Sequence, residues 1–383
     1  MNIGIIGSGP AGLYSAIFLK IKHPEHEVIV FDKEQKASKK LYATGNGHCN
    51  LLNKDLKGDK YNNPEYMDRL LKAYPYQFLE GVLKSLGIQT MDIDGYVYPL
   101  SFSAPSYALY LKKLAEKVGV KFILDTRISD YRQNNDKYLL TGSDYLLDKL
   151  IIATGGCSQE NLGSDGSFFR ILKEHGYEIT ELRPGLTPLV LGDKDIKPLS
   201  GIRHPALVKA YINKEKVFEE KGEILYKNDG ISGIVIMNAE SAIFRHVRPK
   251  NAELVVDLFP EIEEKDLENK LIHDESLNKD FYLDAYMVEP LQKHIQSRAK
   301  GKNAFALATC MKGLRYQVKD HYDFKSSQVT IGGLSLDEVT ECLESKREKG
   351  VYFVGEVLDI DGNCGGYNLT WDLLSAVLVF KSF

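Results

Sequence analysis

Residues 2–32 carry the pattern that most restricts how this chain can fold. A short apolar run, NIGII, stops at Gly-Ser-Gly-Pro-Ala-Gly, and an apolar-faced helical segment then leads to a second strand that ends at Asp32. Strand, glycine turn, helix, strand and acid within about 30 residues make a βαβ unit, the opening element of a Rossmann domain. The sequence therefore predicts an α/β fold with a parallel sheet.

The glycine spacing in this unit predicts a dinucleotide site. Gly7 permits a tight turn, Gly9 lets the backbone approach a pyrophosphate, and Gly12 allows close packing of helix on strand. The helix N-terminus faces the anion, and Asp32 is placed to accept from ribose hydroxyls. A second anion at this ribose would repel Asp32, which argues against a 2′-phosphate. No Gly-Lys-Ser/Thr follows, which excludes a P-loop. At this point FAD and NAD both remain open.

Two further glycine-rich stretches favour FAD. The stretch KKLYATGNGHCNLLN, residues 39–53, is rich in amides and backbone donors that can line a large anionic ligand bearing a ring. The stretch VGEVLDIDGNCGGYNLTWD, residues 354–372, offers Glu356 to a ribityl hydroxyl. Its glycines then lead into an apolar helix, whose N-terminus would face the flavin ring. We expect these stretches to form two distant halves of one site.

The organisation of the chain predicts one α/β domain interrupted by an insertion. With 383 residues, two or three domains are expected. Strands are predicted within residues 119–130, 138–156 and 350–356, and helices at 64–87, 106–119 and 164–177. The pattern then changes to an antiparallel sheet over 206–237, helices at 238–247, 261–273 and 283–300, and a strand at 252–259. We therefore predict a dinucleotide-binding domain from residues 1–189 and 326–383, with a β-rich and helical insertion at 190–325.

Composition excludes several classes of protein. The net charge is −4 with acids and bases intermixed, which predicts no nucleic-acid partner. No apolar segment approaches the length of a membrane span, and the N-terminal run lacks the basic region of a signal peptide. The five cysteines are scattered without a C-x-x-C, so neither a disulfide framework nor a metal site is expected. We expect a cytoplasmic protein that binds small molecules; the oligomeric state is not indicated.

Across almost its whole length the chain resembles a known family, the aminoacetone oxidase or YhiN/BaiN-like bacterial flavoproteins of the two-dinucleotide-binding-domain group. The matching stretches lie between residues 4 and 371 and are GSGPAGL, KKLYATGNGHCNL, DGYVYPLSFSAPS, IIATGG, GSDGSFF, LRPGLTPL, GEILYKNDGISG, VTIGGLSLDEV and VYFVGEVLDIDGNCGGYNLTW. This resemblance implies a tightly bound FAD in a discontinuous, glutathione-reductase-like Rossmann domain. It also implies an inserted β-barrel with a helical portion.

The resemblance further implies which residues contact FAD. It places the pyrophosphate at the first glycine turn, the adenosine at Asp32 and Ile128, and the flavin at the last helix. The implied set is Gly7, Gly9, Pro10, Ala11, Gly12, Asp32, Lys33, Lys40, Thr44, Gly45, Asn46, Gly47, His48, Cys49, Asn50, Ile128, Ala153, Thr154, Gly155, Gly355, Glu356, Gly366, Tyr367, Asn368 and Leu369. The chain departs from the family at His48, where arginine is usual, and at Gly230–Ile234, where Gly-Leu-Ser-Gly-Pro is usual.

A flavin would carry the redox chemistry, and the protein would position the substrate against its N5 atom. The sequence lacks a Cys-x4-Cys after the first helix and a second complete G-x-G-x-x-G. A disulfide reductase and a dedicated nicotinamide domain are therefore not expected, although NAD(P)H could dock transiently as the electron donor. Two reactions remain open, an amine oxidase type and an NAD(P)H-dependent C=C reductase type. The alternatives are a non-enzymatic flavin-binding redox sensor or scaffold, and an NAD-binding protein without flavin.

Two residues are candidates for a catalytic role. Cys364 lies in the glycine stretch expected to face the flavin, and a reactive thiol there would need a lowered pKa. His48 can donate a proton near neutral pH. Tyr98, in DGYVYP, is a candidate for the substrate side. We also expect residues 190–325 to cap the flavin and select the substrate.

Overall fold

The structure, a computed structural model, describes residues 1–245 and 251–383. The described chain divides into two compact units, Met1–Pro184 with Ser327–Phe383, and Gly185–Ser326. Each unit has its own hydrophobic core. Among the described residues, no helix has the length and apolar character needed to cross a membrane.

The strands and helices that end before residue 184 belong to the first unit. Its strands are β1 (Asn2–Ile6), β2 (Glu27–Phe31), β3 (Leu52–Asn53), β4 (Thr90–Ile93), β5 (Tyr96–Pro99), β6 (Lys121–Ile123), β7 (Asp130–Asn134), β8 (Lys137–Thr141), β9 (Leu146–Leu147) and β10 (Lys149–Ile152). Its helices are α1 (Pro10–Lys22), α2 (Pro64–Ala73), α3 (Tyr76–Ser85), α4 (Ala104–Val118) and α5 (Ser167–Glu174). The short strand β11 (Arg183–Gly185) follows at the boundary between the two units.

The second unit and the return to the first unit complete the chain. The second unit has β12 (Leu189–Leu191), β13 (Arg203–Ile212), β14 (Glu215–Tyr226), β15 (Gly230–Ser232), β16 (Ala252–Asp257) and β17 (Leu314–His321), with α6 (Ile234–Phe244), α7 (Glu264–Leu277), α8 (Glu289–Arg298) and α9 (Ala304–Lys312). The first unit then resumes with β18 (Val329–Ile331), β19 (Val351–Phe353) and α10 (Tyr367–Phe380).

A five-stranded parallel sheet forms the centre of the first unit, in the order β19-β10-β1-β2-β6. After a polar first residue, strands such as EVIVF and KLII are continuous apolar runs, which suits a sheet that is covered on both faces. Because the strands are parallel, their carboxyl ends lie at one edge. The segments that start at Gly7, Asp32, Ala153 and Val354 therefore meet there, where Rossmann folds bind ligands.

A closed six-stranded barrel forms the sheet of the second unit, in the order β12-β15-β14-β13-β16-β17. The turn from β13 to β14 is made by Asn213 and Lys214, with φ of 50° and 73°. Two consecutive left-handed residues give a turn whose twist matches that of a hairpin. The predicted fold class, a discontinuous Rossmann domain with a barrel-like insertion, is confirmed.

Several predicted element bounds were wrong. The antiparallel region does not extend to residue 237, because α6 begins at Ile234; this helix is buried on most sides and shows no polar stripe. The single helix predicted at 64–87 is α2 and α3, separated at Pro75, since a proline disfavours a helical residue before it. Helix α9 was missed. The helix predicted at 283–300 covers only Glu289–Arg298. Of the helix predicted at 238–247, residues 246 and 247 lie outside the described residues.

A histidine between two carboxylates stabilises the first unit away from the sheet edge. His175 Nε2 lies 2.9 Å from Asp130 Oδ1, and its Nδ1 lies 3.2 Å from Glu348 Oε1. The ring also stacks on Tyr131, with centroids 4.2 Å apart. Burial lowers the pKa of His175, but hydrogen bonds and charge from the two carboxylates outweigh this effect and raise it above its ordinary value.

This arrangement predicts a pH-dependent stability. A histidine whose pKa is raised by folding stabilises the protein below its unfolded pKa of about 6.5, and the contribution is lost as the pH rises through the folded pKa. As the pH rises through this window, the melting temperature of the wild type should therefore fall relative to that of His175→Gln. The exposed His273, on α7, provides the control variant His273→Gln, which should follow the wild type. A constant difference between His175→Gln and the wild type across this range would contradict the prediction.

Candidate functional site

A cavity opens at the carboxyl edge of the parallel sheet, within the first unit. It encloses about 1500 Å³ when counted together with its open mouth. Most of the predicted site residues line it, although they come from segments far apart in the sequence. These are Gly7, Gly9, Pro10, Ala11, Asp32, Lys33, Lys40, Thr44, Gly45, Ile128, Ala153, Thr154, Gly155, Gly355, Glu356 and Leu369. The N- and C-terminal parts of the chain thus share one cavity.

The three glycines of the first turn are required for different reasons. Gly7 has φ of +106°, and a Cβ there would lie 2.2 Å from the carbonyl oxygen of Ala153. A Cβ on Gly12 would lie 2.1 Å from the carbonyl oxygen of Gly7. A Cβ on Gly9, in contrast, would meet no atom of the described residues within 4 Å, apart from its chain neighbours. Packing therefore explains Gly7 and Gly12, while Gly9 leaves open space in the cavity for a ligand to approach the backbone.

Asp32 holds this turn in place while it lines the cavity. Its Oδ2 accepts a hydrogen bond from the backbone N of Ser8 at 2.8 Å and another from the Ser8 hydroxyl. Its Oδ1 accepts from the backbone N of Glu34 at 2.9 Å. The Ser8 hydroxyl in turn accepts from the backbone N of Ser38 at 3.0 Å. A carboxylate supported in this way has a defined position from which to accept further donors.

A charged cluster lies at the Asp32 end of the cavity. Asp165 Oδ2 accepts from Lys33 Nζ at 2.5 Å and from Arg127 NH1 at 3.0 Å. Burial would raise the pKa of Asp165, but hydrogen bonds from Lys33 and Ser167 hold it well below its ordinary value. Both Asp165 and Arg127 line the cavity beside Ile128, and sequence reasoning missed them. The sequence signal for Asp165 was its place in GSDGSFF, one of the stretches that resemble the family.

An ion pair joins the two predicted halves of the site. Lys40 Nζ lies 3.1 Å from Glu356 Oε2. Glu356 Oε1 also accepts a hydrogen bond from the backbone N of Thr330 at 2.8 Å. The carboxylate is therefore positioned by a residue that follows β2 and by one on β18. Both members of the ion pair line the cavity.

Helix α10 positions the turn that precedes Glu356. Trp371 Nε1 donates to the carbonyl oxygen of Gly355 at 3.1 Å, and the backbone N of Gly355 donates to Ser375 Oγ at 3.0 Å. Gly355 has φ of +72°, and a Cβ there would lie 2.7 Å from the Cβ of Ala11. The turn after β19, the start of α1 and the side of α10 therefore meet at this glycine, which tolerates no side chain.

The segment from Asn46 to Asn50 does not line the cavity, although Thr44 and Gly45 do. Gly45, Asn46 and Gly47 are consecutive left-handed residues, so the backbone turns sharply away at this point. Cys49 is buried in the hydrophobic core, and burial raises the pKa of its thiol. The Asn50 amide, in the orientation that satisfies its neighbours, donates to the carbonyl of Leu52 at 2.8 Å. These residues shape the loop rather than line the cavity.

Three residues at the start of α10 also lie outside the cavity lining, namely Gly366, Tyr367 and Asn368. The side chain of Asn368 binds both backbone groups of Gly362, donating to its carbonyl and accepting from its N–H, each at 2.9 Å. The hydroxyl of Tyr61 donates to the carbonyl of Tyr367 at 3.0 Å. These contacts organise the glycine loop before the helix. The last predicted residue outside the lining is Gly12, which packs on Gly7 as described above.

Both catalytic candidates belong to a row of side chains that leads to the cavity. The exposed His48 ring stacks on Phe102 at 4.0 Å and 13°, and Tyr98 meets Phe102 edge-on at 5.1 Å. Burial, with a smaller contribution from nearby Cys364, raises the pKa of Tyr98. Cys364 Sγ lies 3.5 Å from Oε1 of Gln328, which lines the cavity. We call this set of five residues the aromatic row, after the three rings of His48, Phe102 and Tyr98.

Phe102 is the residue in this row with the most unusual backbone. Its φ is +48°, a conformation that bulky side chains rarely adopt, and such outliers concentrate at functional sites. Its ring is also partly exposed, at 38%. The row therefore presents flat aromatic surface held in a strained conformation.

The polar groups of the cavity fit an anionic dinucleotide. Gly9 leaves space over a helix N-terminus, where backbone N–H groups and the helix dipole favour phosphate. The hydroxyl of Thr154 is buried at the cavity, and none of the described residues forms a hydrogen bond with it. Asp372 also lines the cavity and was missed by sequence reasoning. The signal for it was a lone charged residue in the apolar helix LTWDLLSAVLVF.

Curated relatives share nearly the whole length of the chain. A 3-dehydro-bile acid delta(4,6)-reductase from Clostridium scindens is 29% identical over 397 aligned positions, covering 97% of this chain and 96% of the relative. A ribosomal RNA dihydrouridine synthase from Haemophilus influenzae is 25% identical, with the same coverage of both chains. The prediction that the protein has no nucleic-acid partner is not confirmed, because this second relative is named for an RNA substrate.

Solved structures agree on the fold. A 3-ketosteroid-delta4-(5alpha)-dehydrogenase from Rhodococcus jostii superposes with a TM-score of 0.52 at 12% identity, covering 99% of this chain and 96% of the other. At this identity the likeness shows the fold alone.

A family model described as the HI0933-like protein Rossmann domain matches residues 1–381. This match covers both parts of the first unit and the second unit between them. It confirms the resemblance that the sequence motifs indicated, and the redox names of the relatives confirm the prediction of an enzyme. We conclude that this chain is an enzyme of the HI0933-like family of Rossmann-domain flavoproteins.

Proposed function

We propose that the chain is an FAD-dependent reductase that adds hydrogen across a C=C bond conjugated with a carbonyl group in a flat ring. The observation that carries the choice of cofactor is the cavity shared by the two ends of the chain. The open space at Gly9, the supported Asp32 and the Lys40–Glu356 pair lie along it, which suits a pyrophosphate, a ribose and a ribityl chain in turn. The sequence-predicted residues that line this cavity are our proposed FAD contacts.

The names of the relatives support a reductase. A delta(4,6)-reductase of a 3-dehydro-bile acid and a dihydrouridine synthase both add hydrogen to a ring double bond that is conjugated with a carbonyl. Neither name describes the oxidation of an amine, so the amine oxidase type is not favoured. A redox sensor without turnover is not favoured either. We propose NAD(P)H as the electron donor, docking transiently because the sequence has no second dinucleotide fingerprint.

When bound, FAD supplies the hydride transfer, and the chain supplies position and protons. The aromatic row gives a flat substrate a surface on which to stack, since aromatic rings attract one another in stacked and edge-on geometries. His48, exposed at the end of this row, is our proposed proton donor, because an imidazole can both hold and release a proton. Cys364, which contacts Gln328 at the cavity, is a second proposed substrate-side residue.

The test uses the single tryptophan of the chain. Trp371 contacts Gly355 at the cavity, so FAD binding should quench its emission by energy transfer to the flavin. The FAD-loaded protein should then be bleached anaerobically by NADH or NADPH, and reoxidised by a cyclic enone or a uracil compound. Failure to bind FAD would overturn the proposed cofactor. Bleaching by amines, with no response to either nicotinamide, would overturn the reductase and support the oxidase.

The aromatic row makes a separate prediction. Phe102→Ala should raise the KM for the flat substrate about tenfold while the affinity for FAD stays unchanged, because a lost stacking contact removes about 1–1.5 kcal/mol. Phe78, on α3, is exposed to a similar extent and provides the control variant Phe78→Ala, which should leave the KM unchanged. Steady-state kinetics and an FAD titration measure both quantities. Equal KM values for the two variants would contradict a substrate role for the aromatic row.

A further inference from the structure

Asp372 is a cavity-lining carboxyl that the proposed FAD contacts leave unused. It lies in the second turn of α10, and its Oδ1 faces the turn after β19: a Cβ on Gly355 would lie 2.6 Å from this oxygen. This Cβ position on Gly355 would also lie 2.7 Å from the Cβ of Ala11, in the first turn of α1. The carboxyl is therefore placed beside the helix N-terminus at which we propose the pyrophosphate binds.

Within the described part of the chain, no group donates a hydrogen bond to the Asp372 carboxyl. Apart from the helix backbone bonds, the residue is used only through its carbonyl oxygen, which accepts from Ser375 Oγ at 3.0 Å. An acid largely withdrawn from bulk water normally has hydrogen-bond partners, because leaving it without them costs free energy. The side chain is partly exposed, and it lines the cavity. Its missing partner is therefore expected to be the ligand of the cavity.

The surroundings of Asp372 favour its neutral form. Burial raises the pKa of Asp372 well above its ordinary value, the nearby Glu356 carboxylate raises it further, and Lys40 opposes both effects. From α1, the phenol of Tyr14 faces the same region, and burial raises its pKa further, so it adds no charge there. Lys40 is already paired with Glu356, so a second anion here would have no cation of its own.

We propose that Asp372 is a protonated cofactor-binding residue, whose neutral carboxyl donates a hydrogen bond to an oxygen of the bound FAD. This inference rests on the proposed function, since it needs FAD in the cavity. An ionised carboxylate beside the diphosphate would repel it and could only accept hydrogen bonds, whereas a carboxylic acid can donate one. Cofactor binding is therefore coupled to the protonation of this residue.

The direction in which pH changes the affinity for FAD follows from which protonation state of Asp372 binds the cofactor. FAD favours protonated Asp372, so its affinity is highest below the pKa of this residue in the free protein. As the pH rises through that pKa, the affinity falls, by up to about tenfold per pH unit. The stability of the free protein also falls as the pH rises from the unfolded value of about 3.9, because folding keeps a proton on a group that would otherwise lose it.

Two variants separate the charge from the hydrogen bond. FAD is titrated into the wild-type free protein, Asp372→Asn and Asp372→Ala between about pH 6 and about pH 9, with flavin and Trp371 fluorescence as readouts. Asp372→Asn keeps a donor without a titrating proton, so its affinity should follow a flatter pH profile and exceed that of the wild type at alkaline pH. Asp372→Ala has no donor and should bind FAD about tenfold more weakly than wild type at pH 6.

Thermal unfolding of the free proteins gives a readout that does not need the cofactor. Asp372→Asn should melt above the wild type at pH 8, and the difference should shrink as the pH is lowered. Parallel pH profiles for the wild type and Asp372→Asn, in binding and in melting, would overturn this inference and leave the proposed function intact. A wild-type protein that binds no FAD at any pH would overturn both.

Discussion

Replacing Gly9 with valine is expected to abolish FAD binding while the free protein keeps its thermal stability. The backbone at Gly9 has φ of −62° and ψ of 175°, which any residue can adopt, and a Cβ there would touch no protein atom. The valine would instead occupy the open space in which we propose the pyrophosphate lies. We expect the affinity for FAD to fall more than about 100-fold, measured by fluorescence titration.

Two other glycines provide the controls. A Cβ on Gly81, in α3, also meets no atom within 4 Å, and Gly81 does not line the cavity, so Gly81→Val should bind FAD normally. Gly7→Ala should instead lower the melting temperature, because its Cβ would collide with the carbonyl of Ala153 and its φ is positive. If Gly9→Val bound FAD as tightly as Gly81→Val, the placement of the pyrophosphate at this turn would be wrong.

Replacing Trp371 with alanine is expected to cost about 3–5 kcal/mol of the free energy of unfolding, the usual range for removing a large buried aromatic side chain. The indole is 1% exposed and meets Tyr66 edge-on at 6.4 Å. Its removal also takes one of two donors from the carbonyl of Gly355, the other being the backbone N of Leu358 at 3.2 Å, at a turn whose position depends on α10. The variant should therefore lose FAD affinity as well as stability, measured by denaturant unfolding and by flavin fluorescence.

Trp371→Phe isolates the hydrogen bond from most of the packing. It should cost about 0.5–1.5 kcal/mol for the lost hydrogen bond, together with some lost contact. Because the lost hydrogen bond ties α10 to the turn that carries Glu356, we expect the affinity of Trp371→Phe for FAD to fall while α10 stays folded. Wild-type affinity in Trp371→Phe would show that the hydrogen bond does not position the turn.

The residues of the site that could be predicted are those whose type or position follows from the local backbone structure. Gly7, Gly9 and Gly12 were assigned roles from their spacing between a strand and a helix, and the structure gives each of them the space or contact that its role requires. Asp32 and Glu356 were predicted because each follows a strand of the parallel sheet. The ends of parallel strands meet at one edge, so this part of the site follows from local patterns.

The parts that could not be predicted depend on which distant residues meet. Cys49 lies in a motif that resembles a cofactor loop, yet its side chain enters the core. Asp372 and Asp165 offer only a weak local signal, and their roles come from Glu356 and Lys33 respectively. The pairing of His175 with Asp130 and Glu348 has no local pattern either. That the second unit caps the flavin and selects the substrate stays a prediction.

The sequence by itself determined the class of this protein. Strand, glycine turn and helix recur at both ends of the chain, and such patterns follow from local steric limits on the backbone that the tertiary structure cannot change. Only the tertiary structure decided which side chains line the cavity, which enter the core, and which acid is left without a partner. Burial and charge depend on neighbours, and the neighbours of Asp372 are brought to it from α1, from the segment after β2 and from the turn after β19.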